Sequence, residues 1–155
     1  MDNHDIARVF AAIADLLDVK GDSPFKIRAY RTAAETIAGY PEELSDFVLH
    51  GGNLREIPGI GEAIAKKTEE LLATGRLQYF ETLKAGAPPG VLDLMEIPGI
   101  GPRTAARLAV ESGIASVEQL ENALHGGSLP GIGEARSATL LKSVAEYRLR
   151  RMLRP

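Results

Sequence analysis

The stretch that decides the fold is Ile57–Gly61, IPGIG, because a close copy of it occurs at three places in the chain. The second copy is Ile97–Gly101, IPGIG, 40 residues further on, and the third is Leu129–Gly133, LPGIG, after another 32. The two spacings differ, so the copies do not form a strict solenoid repeat. Each copy stands between a short apolar segment and a segment with helical periodicity, which indicates a turn between two helices.

Two glycines around one aliphatic residue permit a tight turn with positive φ and a close approach by another backbone. The turn leads into a helix N-terminus, where unpaired N–H groups and the positive end of the helix dipole face outward. Phosphate is the natural ligand of such a place. A plain turn without a ligand is the alternative, but three copies favour binding to a phosphate backbone, and the lack of a preceding strand excludes a dinucleotide fold. The candidate binding glycines are Gly59, Gly61, Gly99, Gly101, Gly131 and Gly133.

The third copy is predicted to be the weakest. Leu54 and Leu94 precede the first two copies by three residues, whereas Gly126 occupies that place before the third. The third turn therefore lacks an apolar anchor on its N-terminal side. The middle isoleucines of all three copies should point inward: Ile60, Ile100 and Ile132.

Helical patterns continue along the rest of the chain. Apolar residues recur at helical spacing from Ile6 to Leu17, behind the candidate caps Asp2 and Asn3. Ser23 followed by Pro24 predicts a helix start, with the helix running to about Gly39, and Pro41 is expected to open a short helix. Prolines 88 and 89 with glycine 90 mark the best boundary. We predict an all-α protein of two small helical domains, residues 1–86 with the first turn and 87–155 with one good and one degenerate copy.

Composition narrows the classes of function. The 155 residues include no cysteine and three well-separated histidines, which excludes disulfides and argues against a zinc site. No apolar run is long enough to span a membrane. The net charge is −3, so an anionic partner must be bound by local features and not by a global positive field. The basic C-terminal segment either adds phosphate contacts or is the solvated end of a helix: Arg148, Arg150, Arg151 and Arg154.

The glycine turns resemble the helix-hairpin-helix motif, a sequence-independent DNA-binding element. The stretches 25–34, 54–61 and 71–77 resemble the N-terminal part of the X-family DNA polymerases, the enzymes related to DNA polymerase beta. Residues 100–107 resemble the helix-hairpin-helix of the following subdomain, and the third turn is similar to the bacterial branch. The likeness spans essentially the whole chain and implies binding to gapped, nicked or primer–template DNA in base-excision repair.

The resemblance also limits what this chain is expected to do. The family's nucleotidyl transfer takes place in a palm domain with metal-binding aspartates, and this sequence contains no Asp-x-Asp. Polymerisation by this chain alone is therefore not expected, and it is either a piece of a longer polymerase or a stand-alone relative. Its expected state is a monomer in the cytoplasm, associated with a bacterial nucleoid. A DNA-binding module, a lyase and a non-catalytic assembly protein remain the three functional hypotheses.

The family's pocket for a 5′-phosphate maps onto five positions. Lys26 and Arg55 supply cations, and Tyr30 supplies a phenol donor. Phe25 supplies an aromatic ring placed to stack on a base, and Ala63 is a small side chain where lysine is common. Arg28 and Arg31 lie near Lys26 on the same helix and are expected to compensate for the missing lysine, unless this is only a solvated helix face. In the second hairpin the matching cation is Arg103.

Some family members remove 5′-deoxyribose phosphate through a lysine Schiff base, and the matching position is Lys67. A helix over 62–74 puts Lys67 at the edge of its apolar stripe and Lys66 nearly opposite. Partial burial and cationic neighbours favour the neutral amine that a nucleophile needs. The alternative is an ordinary surface lysine with a buried stem. Lys66 stands where relatives have a carboxylate, which removes one acid–base group from the elimination step.

The resemblance further implies a monovalent cation, Na⁺ or K⁺, held between backbone carbonyls of the hairpins and a phosphate. By position, these carbonyls belong to two sets of three residues: Arg55, Ile57 and Ile60 in the first hairpin, and Met95, Ile97 and Ile100 in the second. DNA binding is expected to require no other cofactor.

Overall fold

The computed structural model describes residues 1–127 and 129–153, so Arg154 of the basic segment lies outside the described residues. The predicted all-α class is confirmed, since the described ranges contain helices and turns and no strand. None of these helices is both long and apolar enough to cross a membrane. The chain divides into two compact units, Met1–Gly86 and Ala87–Pro155.

The first unit contains five α-helices and one 3₁₀ turn. They are α1 (Asn3–Lys20), α2 (Pro24–Ala38), α3 (Leu44–Leu49), the 3₁₀ turn Leu54–Glu56, α4 (Glu62–Thr74) and α5 (Gln78–Gly86). The most extensive helix–helix contact in this unit is between α1 and α2. The side chains of Phe10, Ile13 and Ile37 on these two helices are completely buried. Burial of each such side chain contributes about 1.5–3 kcal/mol to folding, and this core carries α2 and the first glycine turn.

The predicted helix starts are confirmed at α1 and α2. Asp2 caps α1 by accepting a hydrogen bond from the backbone N–H of Asp5, while the side chain of Asp5 accepts one from the N–H of Asp2. Ser23 caps α2 by accepting from the N–H of Phe25, and Pro24 takes the first helical position. These local hydrogen bonds satisfy donors that the helix itself leaves unpaired.

Two local predictions in this unit were wrong. Asn3 is not a cap but a buried tether, because its side chain donates to the carbonyl of Glu42 (2.8 Å) and accepts from the N–H of Leu44 (2.8 Å). Pro41 lies in a bend, and the short helix α3 begins only at Leu44. The tether joins the start of α1 to the start of α3, a contact between residues about 40 apart that local patterns do not reveal.

Within its described residues, 87–127 and 129–153, the second unit carries four helices and the other two glycine turns. They are α6 (Val91–Met95), α7 (Pro102–Glu111), α8 (Val117–Gly126) and α9 (Glu134–Leu153). The second turn joins α6 to α7, and the third joins α8 to α9. Its core includes the fully buried side chains of Leu94, Leu120 and Val144.

Candidate nucleic-acid interface

The first two glycine turns have the same backbone geometry. The N–H of Ile60 donates to the carbonyl of Ile57 at 3.0 Å, and that of Ile100 donates to the carbonyl of Ile97 at 3.0 Å. Gly59 and Gly99 both adopt φ 95°, in the left-handed region that favours glycine. The helix then begins directly after Gly61 or Gly101, neither of which brings a side chain to cap it. The free N–H groups at the start of α4 and α7 are therefore available to an external acceptor.

The two glycines of each turn serve different purposes: one provides the predicted positive φ, and the other permits the predicted close approach. Gly61 and Gly101 have φ −84° and −91° with ψ near 180°, an extended conformation that any residue adopts. A Cβ atom built on either of them meets no other atom within 4 Å. Their lack of a side chain therefore leaves open space at the surface beside the helix start, while Gly59 and Gly99 are required by the backbone itself.

The third turn is anchored less well, as the sequence predicts. Ile60 and Ile100 are each 4% exposed, whereas Ile132 is only half-buried, so the expectation that all three isoleucines point inward was wrong for the third. Gly126 ends α8 in the place where the other copies bury a leucine. Gly131 keeps a positive φ of 77°. The backbone of the turn thus forms without the apolar anchor.

The three turns differ in the charge of the residues that directly follow them. Glu62 and Glu134 are the first helical residues after the first and third turns, whereas Pro102 and the exposed Arg103 follow the second. A carboxylate at a helix N-terminus is favoured by the helix dipole and competes with a phosphate for the same N–H groups. The second turn is therefore the most receptive to an anion.

Arg55 is engaged within the protein. Its guanidinium donates to both carboxylate oxygens of Glu62 and, at 3.0 Å, to Glu69. Hydrogen bonds to Glu62 and then to Glu69 raise the pKa of Arg55, and the same contact lowers the pKa of Glu62. Arg55, predicted as a phosphate-binding cation, is paired in this structure with the carboxylate that stands beside the first turn.

A cleft of about 460 Å³ lies between α2 and the first glycine turn. The side chains and glycines that line it include Phe25, Arg28, Gly59, Gly61, Glu62 and Ala63. Of the five positions predicted for the phosphate pocket, only Phe25 and Ala63 belong to the lining. Arg28, one of the two arginines expected to compensate for the missing lysine, supplies the cation.

The other predicted pocket residues face different partners. Lys26 lies 3.7 Å from the carboxylate of Asp22, one turn away. Tyr30 is buried and stacks on Tyr79, with 6.1 Å between ring centroids and 16° between planes. Burial, and then the neighbouring Tyr79, raise the pKa of Tyr30. Lys26, Tyr30 and Arg55 are thus each engaged by another side chain, and their convergence on one phosphate stays a prediction.

Lys67 lies at the edge of the buried stripe of α4, as its place on the helix predicts. It is half-buried, while Lys66 is exposed. The ammonium nitrogen of Lys67 lies 4.8 Å from the ring centroid of Tyr79, a distance typical of a cation–π contact. Sequence reasoning missed Tyr79. The signal in the sequence was an aromatic residue near the start of α5, the helix that follows α4.

In the second unit, Arg103 and Arg107 are both exposed on α7. Sequence reasoning missed Arg107 and also Arg136, whose guanidinium approaches the carbonyl of Gly99 at 3.5 Å. Arg107 and Arg136 line a small cleft that also includes Gly131. These arginines bring three positive charges to the region of the second and third turns.

The basic C-terminal segment makes contacts with carboxylates. Arg148 pairs with Glu121 at 3.0 Å, and Arg150 lies 3.9 Å from Glu146. Arg151 lies 3.8 Å from Glu96 and donates to the hydroxyl of Tyr147. Of the two interpretations left open by the sequence, these pairs favour the one in which the segment is the charged end of α9.

The carbonyls predicted to hold a monovalent cation suit that role in part. Those of Ile57 and Ile97 each accept one hydrogen bond within the turn, which leaves one lone pair for another partner. The carbonyls predicted with them are those of Arg55, Ile60, Met95 and Ile100. The cation itself stays a prediction.

Both units of the chain are similar to known protein families. Residues 1–77 match the model of a family described as a helix-hairpin-helix domain, and residues 91–125 match that of a SAM-like helix-hairpin-helix tandem. The chain is 29% identical over 149 residues to the DNA polymerase/3′-5′ exonuclease PolX of Bacillus subtilis (strain 168), covering 94% of this chain and 25% of that protein. It is 26% identical over 121 residues to DNA polymerase lambda of Arabidopsis thaliana, covering 77% and 22% respectively. The chain thus spans about a quarter of the length of these curated relatives.

Proposed function

The chain carries two helix-hairpin-helix regions and is homologous to the N-terminal region of the X-family DNA polymerases, and from this premise we propose that it binds the phosphate backbone of DNA at gaps or nicks in a repair context. The helix-hairpin-helix regions and the homology support DNA as the partner. The finer part of the proposal is a preference for a 5′-phosphate at the gap.

The observation that carries the proposal is the open space at Gly61 and Gly101. Each lies at a helix start with unpaired N–H groups, and a side chain there would meet nothing within the protein. At a helix start, the missing side chain leaves these N–H groups accessible to a ligand that approaches closely. Phosphate oxygens accept hydrogen bonds from such N–H groups, and this contact reads no base edge, so binding should be independent of base sequence.

The cleft beside the first turn supports the proposed preference for a gap. The cleft is about 460 Å³ in volume and lies next to Gly59 and Gly61. A strand end with a terminal phosphate carries more negative charge than an internal phosphodiester and has no continuing chain to exclude it from a cleft. The second turn, with Arg103 beside it, would hold the backbone of the continuous duplex.

Binding titrations with labelled duplexes test this proposal. Intact duplex, gapped duplex and gapped duplex with a downstream 5′-phosphate are compared at several salt concentrations. Affinity should fall with added salt for all three and be highest for the phosphorylated gap. Gly101→Ala should weaken binding, while Gly86→Ala, a matched change that also meets no atom within 4 Å, should not. Absence of salt-dependent binding would refute the proposal, and equal affinity for the two gapped duplexes would remove its 5′-phosphate part.

A second candidate function is removal of 5′-deoxyribose phosphate by Lys67. The half-buried position of this amine at the edge of the apolar stripe of α4 is the observation that favours it. In this reaction the amine adds to the C1′ aldehyde of the sugar, and water leaves to give an imine. Loss of a C2′ proton then breaks the C3′–O bond and releases the downstream strand with its 5′-phosphate, and water hydrolyses the imine. Covalent capture by borohydride on incised abasic DNA is the test.

A monovalent cation at the hairpins is a further part of the proposal. Its support is the free lone pair at the carbonyls of Ile57 and Ile97. At constant ionic strength, replacing Na⁺ or K⁺ by a large organic cation should weaken DNA binding. Equal affinity in both salts would argue against the cation.

A further inference from the structure

Three cations of the first unit that were candidates for phosphate binding are paired with carboxylates. Lys26 lies 3.7 Å from Asp22. Arg31 lies 3.0 Å from Asp15 and 3.7 Å from Asp18. Arg55 pairs with Glu62 and Glu69. These carboxylates compete with a phosphate for the paired cations. Pairing of this kind lowers the value of a cation as an anion receptor.

Arg28 differs from these three cations. It is exposed and forms no ion pair with any residue in the described ranges. It lines the cleft together with Gly59 and Gly61. Its charge is thus directed to the same space as the glycine turn and is not neutralised there.

Phe25 orients this guanidinium. The central carbon of the Arg28 guanidinium lies 5.9 Å from the ring centroid of Phe25, within the range of a cation–π contact. The ring is 79% exposed, an unusual position for a phenylalanine, and also lines the cleft. A planar guanidinium held against a ring loses less freedom when it binds, and its fork of N–H donors matches two phosphate oxygens.

The one carboxylate in the cleft lining named above is that of Glu62, and its charge is compensated. Arg55 donates to both of its oxygens, and this contact lowers the pKa of Glu62. Arg55 balances the charge of Glu62 but also pairs with Glu69, which is not among the lining residues named, so the three side chains together carry one negative charge. Among the lining residues named, Arg28 is the cation, and it has no carboxylate partner of its own in the described ranges.

We infer that Arg28 is the residue that binds the strand phosphate in the cleft between α2 and the first glycine turn, held in position by Phe25. The ligand is a phosphate of a nucleic-acid strand, and its other contact is the backbone at Gly59 and Gly61. This inference rests on the proposed function and specifies which cation performs it. It replaces Lys26 and Arg55, the cations that resemblance to the family suggested.

The first experiment compares three alanine variants of the full chain on gapped DNA with a 5′-phosphate. Arg28→Ala should lower the slope of log K against log salt by about 0.7–0.9, the value for one phosphate contact. Lys26→Ala and Arg31→Ala are matched controls on the same helix and should leave the slope unchanged. Arg28→Lys should keep the slope but weaken binding, because an ammonium lacks the two-pronged geometry. Circular dichroism shows that each variant is folded.

An unchanged slope in Arg28→Ala, with a lower slope in Lys26→Ala or Arg31→Ala, would overturn the inference while leaving DNA binding intact. A second measurement does not depend on DNA affinity. In an NMR titration with deoxyribose 5-phosphate, the Nε–Hε resonance of Arg28 should shift more than that of Arg31. If the wild type binds no DNA, the proposed function fails, and an unmoved Arg28 resonance would then refute this inference as well.

Discussion

Replacing each glycine of the first turn by alanine should separate folding from binding. Gly59 has φ 95°, and a Cβ atom there would lie 2.5 Å from Oγ1 of Thr36. Gly61 has φ −84° and ψ −178°, and its Cβ would meet nothing within 4 Å. The two variants add the same methyl group two residues apart, so each serves as the control for the other.

The expected magnitudes follow from these geometries. A left-handed conformation costs an ordinary residue about 1–2 kcal/mol, and Thr36 must also move. Gly59→Ala should therefore lower the free energy of unfolding by about 2–3 kcal/mol, consistent with other strained backbone positions. Gly61→Ala fits its conformation and should leave stability unchanged or raise it by about 0.4–1 kcal/mol. It should nevertheless weaken DNA binding, because the methyl group occupies the space through which a phosphate reaches the N–H groups of α4.

Urea denaturation followed by far-UV circular dichroism measures the change in the free energy of unfolding. Titration of gapped DNA, at a temperature where both variants are folded, measures the change in DNA affinity. Equal stability of Gly59→Ala and the wild type would contradict the assignment of the first glycine to the backbone. Wild-type affinity in Gly61→Ala would show that phosphate does not approach this turn, and the argument for the interface would fail there.

Three further predictions concern the side chains and the third turn. Arg55→Ala should weaken binding in the wild-type background but have little effect in a Glu62→Gln background, because Arg55 acts by neutralising that carboxylate; equal losses in both backgrounds would indicate direct contact with phosphate. Borohydride trapping on incised abasic DNA should be lost in Lys67→Ala and retained in Lys66→Ala, and undiminished trapping in Lys67→Ala would place the nucleophile elsewhere. Gly133→Ala should reduce DNA affinity less than the equivalent change in the second turn, and the largest loss at Gly133 would reverse the ranking of the turns.

Local sequence was sufficient to predict the starts of α1 and α2 and the glycine turns. Ser23 and Pro24 define the start of α2 because capping and proline act on neighbouring backbone groups. The repeated Pro-Gly-Ile-Gly defines the turns because Gly59 and Gly99 satisfy a conformational requirement within a few residues. The missing leucine before the third turn likewise predicted its weaker anchoring, which the half-buried Ile132 shows.

The roles of the charged side chains were decided by tertiary structure. Sequence similarity placed Lys26 and Arg55 in one phosphate pocket, but packing brings Arg55 to Glu69, 14 residues away, and leaves Arg28 facing the cleft. Periodicity shows which face of a helix a side chain occupies, but not which carboxylate on another element lies opposite. The sequence alone determined an all-α chain with three glycine turns, because those features depend on neighbouring residues. Which cations remain available to a phosphate was set by contacts between distant residues, because ion pairs form only after the helices have packed.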